Sequence, residues 1–163
     1  MEKVIRNAVR CFVIEDEKVL VTRYKLGNKK EGYLEIPGGK IEDGETSKSA
    51  AVREVKEETN IDVEKENLIY KGKLKVEYEN RIYFLDIYFT NKYFGSIKDT
   101  EEFEVYFMDI ENIRKEKKKL SNLILLEKEY INYLFDKESI FNMEVFVDED
   151  ENIIDIKFEL ESN

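Results

Sequence analysis

Gly39–Ile61 reads GKIEDGETSKSAAVREVKEETNI, and the spacing of its charges constrains what the rest of the chain can be. At about 100° per residue, Glu54, Glu57 and Glu58 fall within one narrow arc of a helix, while Ala51, Val52 and Val55 fall roughly opposite. One face can pack on a core while the other presents three carboxylates. Like charges at i, i+3 and i+4 destabilise an isolated helix by about a few tenths of a kcal/mol per pair, and a bound cation removes that repulsion. Carboxylate oxygens without imidazole or thiolate partners favour hard ions. Mg2+ in particular binds through a few carboxylates, several waters and the substrate's phosphates. The chain has no histidine and a single cysteine, Cys11. Zinc sites and Ser-His-Asp or Cys-His catalysis are therefore out of reach.

The stretch resembles the Nudix box of the Nudix (MutT-type) hydrolases, in which Gly, five residues, Glu and seven residues precede Arg-Glu-apolar-x-Glu-Glu-x-Gly-apolar. Here those positions are held by Gly39, Glu45 and Arg53-Glu54-Val55-Lys56-Glu57-Glu58-Thr59-Asn60-Ile61. Only the last glycine departs. Asn60 replaces it, and asparagine is the usual substitute where a helix ends in a left-handed residue. The resemblance implies an α/β fold, an α/β/α sandwich with a mixed β-sheet between helices. It further implies a Mg2+ (or Mn2+) cofactor with Glu57 and Glu58 as ligands. Glu54 is then a third ligand or a base that activates water, and the Gly39 carbonyl contributes to the metal. Arg53 is expected to pair with Glu45 or Glu57 and hold the carboxylates in place.

Length and composition agree with one small enzyme. The 163 residues fit a single domain with room for a real core, and no Pro/Ser-rich linker divides them. Charged residues make up 39 % of the chain, yet apolar residues recur in regular patterns, which argues against disorder. A net charge of −10 repels nucleic acid. It also repels a phosphorylated small molecule, a conflict that a metal resolves by inverting the local field. With no membrane-length apolar run and no secretory apolar segment after MEKVIRNAVR, a cytoplasmic protein is expected; the resemblance implies a nucleotide-type small molecule as its substrate, with monomer or homodimer left open. Cys11 lies in the apolar run Ala8 to Ile14 and reads as a small buried hydrophobe.

Along the chain, Asn7 to Ile14 and Lys18 to Arg23 read as strands joined by a turn at Glu15 to Glu17. A polar loop, Lys25 to Gly32, precedes a short strand Tyr33 to Ile36 and a turn at Pro37-Gly38-Gly39. Thr46 or Ser47 caps the box helix. Strands are expected at Ile69 to Tyr78, Arg81 to Thr90 and Phe103 to Met108, followed by one helix near Leu120 to Phe135. Alternating apolar residues from Phe141 to Val147 and from Ile154 to Leu160 then predict a hairpin turning at Asp148 to Asn152. This helix and hairpin, about 120–160, are expected to belong to the same domain.

Family members often supply one more acid from a loop after the sheet. Here Asp99-Thr100-Glu101-Glu102-Phe103-Glu104 offers Glu102 by register, with Glu101 and Glu104 as rivals. Tyr24, Tyr33, Tyr83, Phe84 and Tyr88 are candidates to stack on a base. The resemblance implies a pyrophosphohydrolase for a nucleoside diphosphate-linked substrate. Likeness of the region TEEFEVYFMDIENI to mutator-type members favours a nucleoside triphosphate, an oxidised (8-oxo-dGTP-like) one included, cut to monophosphate and pyrophosphate. The alternatives are a hydrolase of dinucleoside polyphosphates or other nucleotide derivatives, or a non-catalytic nucleotide-binding domain.

Overall fold

The computed structural model describes residues 2–116 and 119–161; the first residue and the last two of the expected domain lie outside that set. Its longest strand, Val4–Glu15 (β1), turns through Asp16 and Glu17 into Lys18–Tyr24 (β2). Both turn residues have positive φ, 50° and 64°, as a two-residue hairpin matched to the strands' twist requires. Leu34–Glu35 (β3), Gly38–Lys40 (β4) and the helix Ser47–Thr59 (α1) follow. Beyond them lie Ile69–Glu77 (β5), Arg81–Thr90 (β6) and Phe103–Asp109 (β7). The last third comprises the helices Ile110–Lys115 (α2), Asn122–Leu125 (α3) and Glu127–Leu134 (α4), then Phe141–Val147 (β8) and Ile153–Leu160 (β9).

β1 is the strand on which the others are hung. It pairs in parallel with β6 from Val4↔Arg81 to Val13↔Thr90, and antiparallel with β4 at Ala8 to Arg10 and with β2 at Ile14 and Glu15. The sheet runs β3-β2-β1-β6-β5-β8-β9, with β7 pairing β2 and β4 pairing β1. Alternation along β1 divides the core. Val9, Cys11 and Val13 pack with Ala50, Ala51 and Val55 of α1, whereas Phe12 and Ile14 pack with Leu123, Leu126, Tyr130 and Leu134 on the other face. The result is the α/β/α sandwich. Burial pushes the Cys11 thiol up to about 12, so it stays a protonated, inert hydrophobe.

Two expectations need correction, and one helix, α2, was not foreseen. Gly38 and Gly39 are not turn residues; the bend falls at Pro37 and both glycines join β4. α2 carries no pattern that separates it from the strand before it. The single helix expected over 120–135 is broken at Leu126, whose φ/ψ is −92°/9°. The buried Tyr130 hydroxyl accounts for the break: it donates to the Leu123 carbonyl at 2.6 Å, an acceptor that an unbroken helix would give to the residue 127 N–H. Among the described residues no helix is long and apolar enough to cross a membrane.

Both ends of α1 are set locally. The Thr46 hydroxyl accepts from the Ser49 N–H at 3.1 Å, and Asn60 adopts the left-handed conformation, φ 75°, while its N–H returns to the Lys56 carbonyl. The Asn60 side chain also donates to the Ser96 carbonyl at 3.0 Å. Asn60→Gly gains backbone freedom and loses that exposed bond, so stability should change by no more than about 0.5 kcal/mol. Asn60→Val should cost about 1–2 kcal/mol. Thermal melts of the three proteins check this, and equal melting temperatures would show that the left-handed conformation carries no cost.

Candidate active site

The box helix meets the sheet through two residues that have no side chain. At Gly38 a Cβ would stand 1.9 Å from the Val9 carbonyl oxygen, and at Gly39 it would stand 2.6 Å from the Glu54 carboxyl carbon. Glycine at both positions lets β4 lie against β1 and lets a carboxylate of α1 reach the strand backbone.

Arg53 organises the acids. Its Nε and Nη2 donate to the two oxygens of Glu45 at 2.8 and 2.9 Å, and its Nη1 donates to Glu54 at 2.9 Å and to Glu57 at 3.3 Å. Nη2 also reaches the Lys40 carbonyl at 3.0 Å. One guanidinium thus ties the loop before α1 to two of the three acids on its face. The Arg53 hydrogen bonds, with help from the Glu42 N–H, hold Glu45 down at about 2. Glu54 is largely covered, with 15 % of its side chain exposed, and Glu57 is open at 57 %.

Glu58 has a different environment. It is half-buried beside β4, and the Gly38 N–H approaches it at 3.5 Å. Burial pushes its carboxyl up to about 8; Arg10 opposes that shift and Glu54 adds to it. Arg10 escaped the sequence reading. It shares a strand face with Phe12 and Ile14, its Nη1 donates to the Ile36 carbonyl at 2.9 Å, and its Nη2 stands 3.8 Å from Glu35. Glu35 in turn accepts the Ile36 N–H at 3.0 Å. A usable signal was present: a cation inside the apolar run Ala8 to Ile14 needs a buried carboxylate, and Glu35 sits between Leu34 and Ile36.

A cleft of about 500 Å³ brings Gly39, Glu54, Glu57 and Glu58 together with Glu101 and Glu102 from the loop before β7. Arg10, Tyr24 and Phe103 complete its walls, and the Tyr24 and Phe103 rings lie 4.7 Å apart. Glu104 is not part of it and instead accepts from the Tyr106 hydroxyl. Of the candidate aromatics, only Tyr24 reaches the cleft. Tyr88 pairs with Ser47, Tyr83 packs on Tyr78, and Phe84 lies beneath Lys73. Tyr33 is exposed outside the cleft. Among the described residues no three acids converge tightly enough to close on an ion as they stand. The donor set is nonetheless all oxygen, which is the chemistry of Mg2+ or Mn2+ and not of zinc.

A mixed sheet between helices, with an acid-bearing helix following a Gly-Gly strand, defines the Nudix fold. The chain belongs to the Nudix hydrolase family, whose NUDIX domain model matches residues 4–153. It is 37 % identical over 79 residues to the 8-oxo-dGTP diphosphatase of Escherichia coli (strain K12), an alignment covering 48 % of this chain and 60 % of that protein. To the ADP-ribose pyrophosphatase of Methanocaldococcus jannaschii it is 43 % identical over 54 residues, covering 33 % of this chain and 31 % of that one. Its fold matches the crystal structure of a MutT protein from Bacillus halodurans with a TM-score of 0.76, over 94 % of this chain and 97 % of that chain at 18 % identity.

Glu58 predicts a pH effect on the metal-free protein. Its carboxyl is raised to about 8 from an ordinary 4.5, so the folded state binds the extra proton between those values. That stabilising contribution is complete below pH 4.5 and is lost as pH rises through 8. Glu58→Gln, which carries no ionisable group, should therefore gain melting temperature relative to wild type as pH goes from 5 to 9. Parallel curves for the two proteins across that range would place the carboxyl in ordinary solvent.

Proposed function

We propose that the protein is a Mg2+- or Mn2+-dependent pyrophosphohydrolase acting on a nucleoside triphosphate, an oxidised purine nucleotide being the favoured substrate. Water attacks one phosphorus of the phosphoanhydride, the bridging P–O bond breaks, and nucleoside monophosphate and pyrophosphate leave. The observation that supports this reading is the cleft in which Glu54, Glu57 and Glu58 of the box face the loop acids Glu101 and Glu102.

Glu57, Glu58 and Glu54, with the Gly39 carbonyl, are the residues that would hold the metal, which when bound supplies charge neutralisation at the phosphates. Arg53 touches no substrate in this scheme. It keeps Glu54 and Glu57 oriented through bonds of 2.9 and 3.3 Å, a positioning role. Glu102, or Glu101 beside it, stands across the cleft from α1 and can take the proton of the attacking water. Tyr24 and Phe103 offer an apolar wall on which a base can lie. The whole chain works as one cytoplasmic unit in this reading.

Substrate choice draws support from the E. coli relative's 8-oxo-dGTP diphosphatase name. The ADP-ribose pyrophosphatase relative favours a second reading, hydrolysis of a nucleoside diphosphate linked to a sugar. Product analysis over a panel of canonical and oxidised triphosphates, dinucleoside polyphosphates, ADP-ribose and nucleotide sugars separates the two. For the first reading, label from 18O water should enter just one product, and an oxidised purine triphosphate should have the highest kcat/KM. A higher kcat/KM for ADP-ribose or a dinucleoside polyphosphate than for every triphosphate would overturn the substrate assignment. Glu57→Gln and Glu58→Gln should each lower kcat at least about 100-fold without unfolding the protein. Full turnover in both variants, or in excess chelator, would end the hydrolase mechanism itself.

A further inference from the structure

Arg10 has no task in the reaction described for this cleft. Among the described residues it is the only cation that lines the cleft, where five glutamates also stand. Burial disfavours its charge, but Glu35, then Glu58, Tyr24 and Glu54, outweigh burial and keep it a cation. A guanidinium carries five N–H donors. Here Nη1 donates to the Ile36 carbonyl at 2.9 Å, while Nη2 stands 3.8 Å from Glu35, too far for a hydrogen bond. Glu35 is held at that distance, because its other oxygen accepts the Ile36 N–H at 3.0 Å. Among the described residues no unpartnered nitrogen of Arg10 is sealed in the core, so the remaining donors open onto the cleft.

Strand pairing fixes where along the cleft those donors stand. Arg10 pairs with Gly38, whose N–H approaches Glu58, so its backbone belongs to the acidic end. Its guanidinium reaches Ile36 and Glu35, and Glu35 pairs with Thr22 of β2, two residues before Tyr24. Arg10 therefore spans the gap between the box acids and the wall of Tyr24 and Phe103. A nucleotide whose base lies on those rings and whose anhydride lies at the acids must pass its first phosphate through that gap. Five carboxylates repel a phosphate there. A planar guanidinium with free donors attracts it and matches the spacing of its oxygens.

We propose that Arg10 is the protein's own phosphate ligand, its free N–H groups binding the non-bridging oxygens of the phosphate that stays attached to the nucleoside. This rests on the nucleotide-hydrolase reading of the cleft, and it holds for either substrate class, since hydrolysis of an oxidised purine triphosphate leaves a nucleoside monophosphate and hydrolysis of ADP-ribose leaves AMP. Glu35 orients the guanidinium without occupying it. Arg10 thereby supplies what the box acids cannot, a positive charge that the protein carries by itself.

Titration calorimetry of the full chain in Mg2+ with 8-oxo-dGMP and AMP, each beside its own nucleoside, tests the assignment. Wild type should bind one of the monophosphates more tightly than its nucleoside by at least about tenfold. Arg10→Met should lose that preference while binding the nucleoside as wild type does. The substitution leaves Glu35 without a cation, so Arg10→Met/Glu35→Gln is measured alongside, and thermal melts verify that both variants fold. The double variant should still fail to prefer the monophosphate. Recovery of the preference there would reduce Arg10 to a structural partner of Glu35 and overturn the proposal, as would a preference unchanged in Arg10→Met. A wild type that hydrolyses a member of the substrate panel yet binds neither monophosphate better than its nucleoside would overturn the Arg10 assignment alone. A wild type that hydrolyses nothing on the panel would overturn the nucleotide-hydrolase reading beneath it.

Discussion

Holding like charges together is the constraint on which this molecule depends. Glu45, Glu54 and Glu57 are gathered by a single guanidinium, Arg53, which is half surrounded by carboxylate oxygens and also touches the Lys40 carbonyl at the end of β4. Isolated surface ion pairs contribute little. Here the donors are partly covered, the Glu45 contact is bidentate, and one cation serves three acids, so the arrangement fixes geometry more than it adds stability. Glu58 has no such hydrogen-bonded cation; burial, reinforced by Glu54 and opposed by Arg10, raises its proton affinity. Neighbouring carboxylates on one helix thus have different surroundings, Glu57 open beside Arg53 and Glu58 tucked against the Gly38 backbone.

The fold supplies this arrangement by close approach of backbone to backbone. β4 is only three residues long, yet it brings Gly38 against Val9 and Gly39 against Glu54. A side chain at Gly38 would push β4 off β1, and one at Gly39 would displace the Glu54 carboxylate. The helix is also held from its buried side by Ala50, Ala51 and Val55, small enough to sit close over Val9, Cys11 and Val13. Distance between acid face and sheet is therefore set by the smallest residues in the chain.

Much of this was legible in the sequence because the signals are local. The three-acid arc, the Thr46 cap, the left-handed Asn60 and the alternation in β1, β8 and β9 each depend on residues a few positions apart. What stayed hidden depends on partners far along the chain. Arg10 lies inside an apolar run, but its partners Glu35 and Ile36 are far along the chain and only the fold sets them beside it. The break at Leu126 has no glycine or proline to announce it, and follows from a tyrosine hydroxyl that must find an acceptor in the core. Glu104 and Glu102 differ by two positions, which along a strand places them on the same face; a bond from Tyr106 and a bend at the strand's start set them apart.

The double duty of β1 also has a consequence for the order of events in folding. The sheet beneath α1 is complete only when β1 has found β6, a parallel pairing that must close the loop from Val4 to Arg81. Such long-range closure is slow compared with forming a hairpin or a helix turn. On a growing chain, β1, β2 and α1 emerge first and the parallel partner afterwards. Through that interval α1 faces a cleft that still lacks Glu101, Glu102 and Phe103. A fragment ending before Thr90 therefore carries the whole signature and only part of its setting.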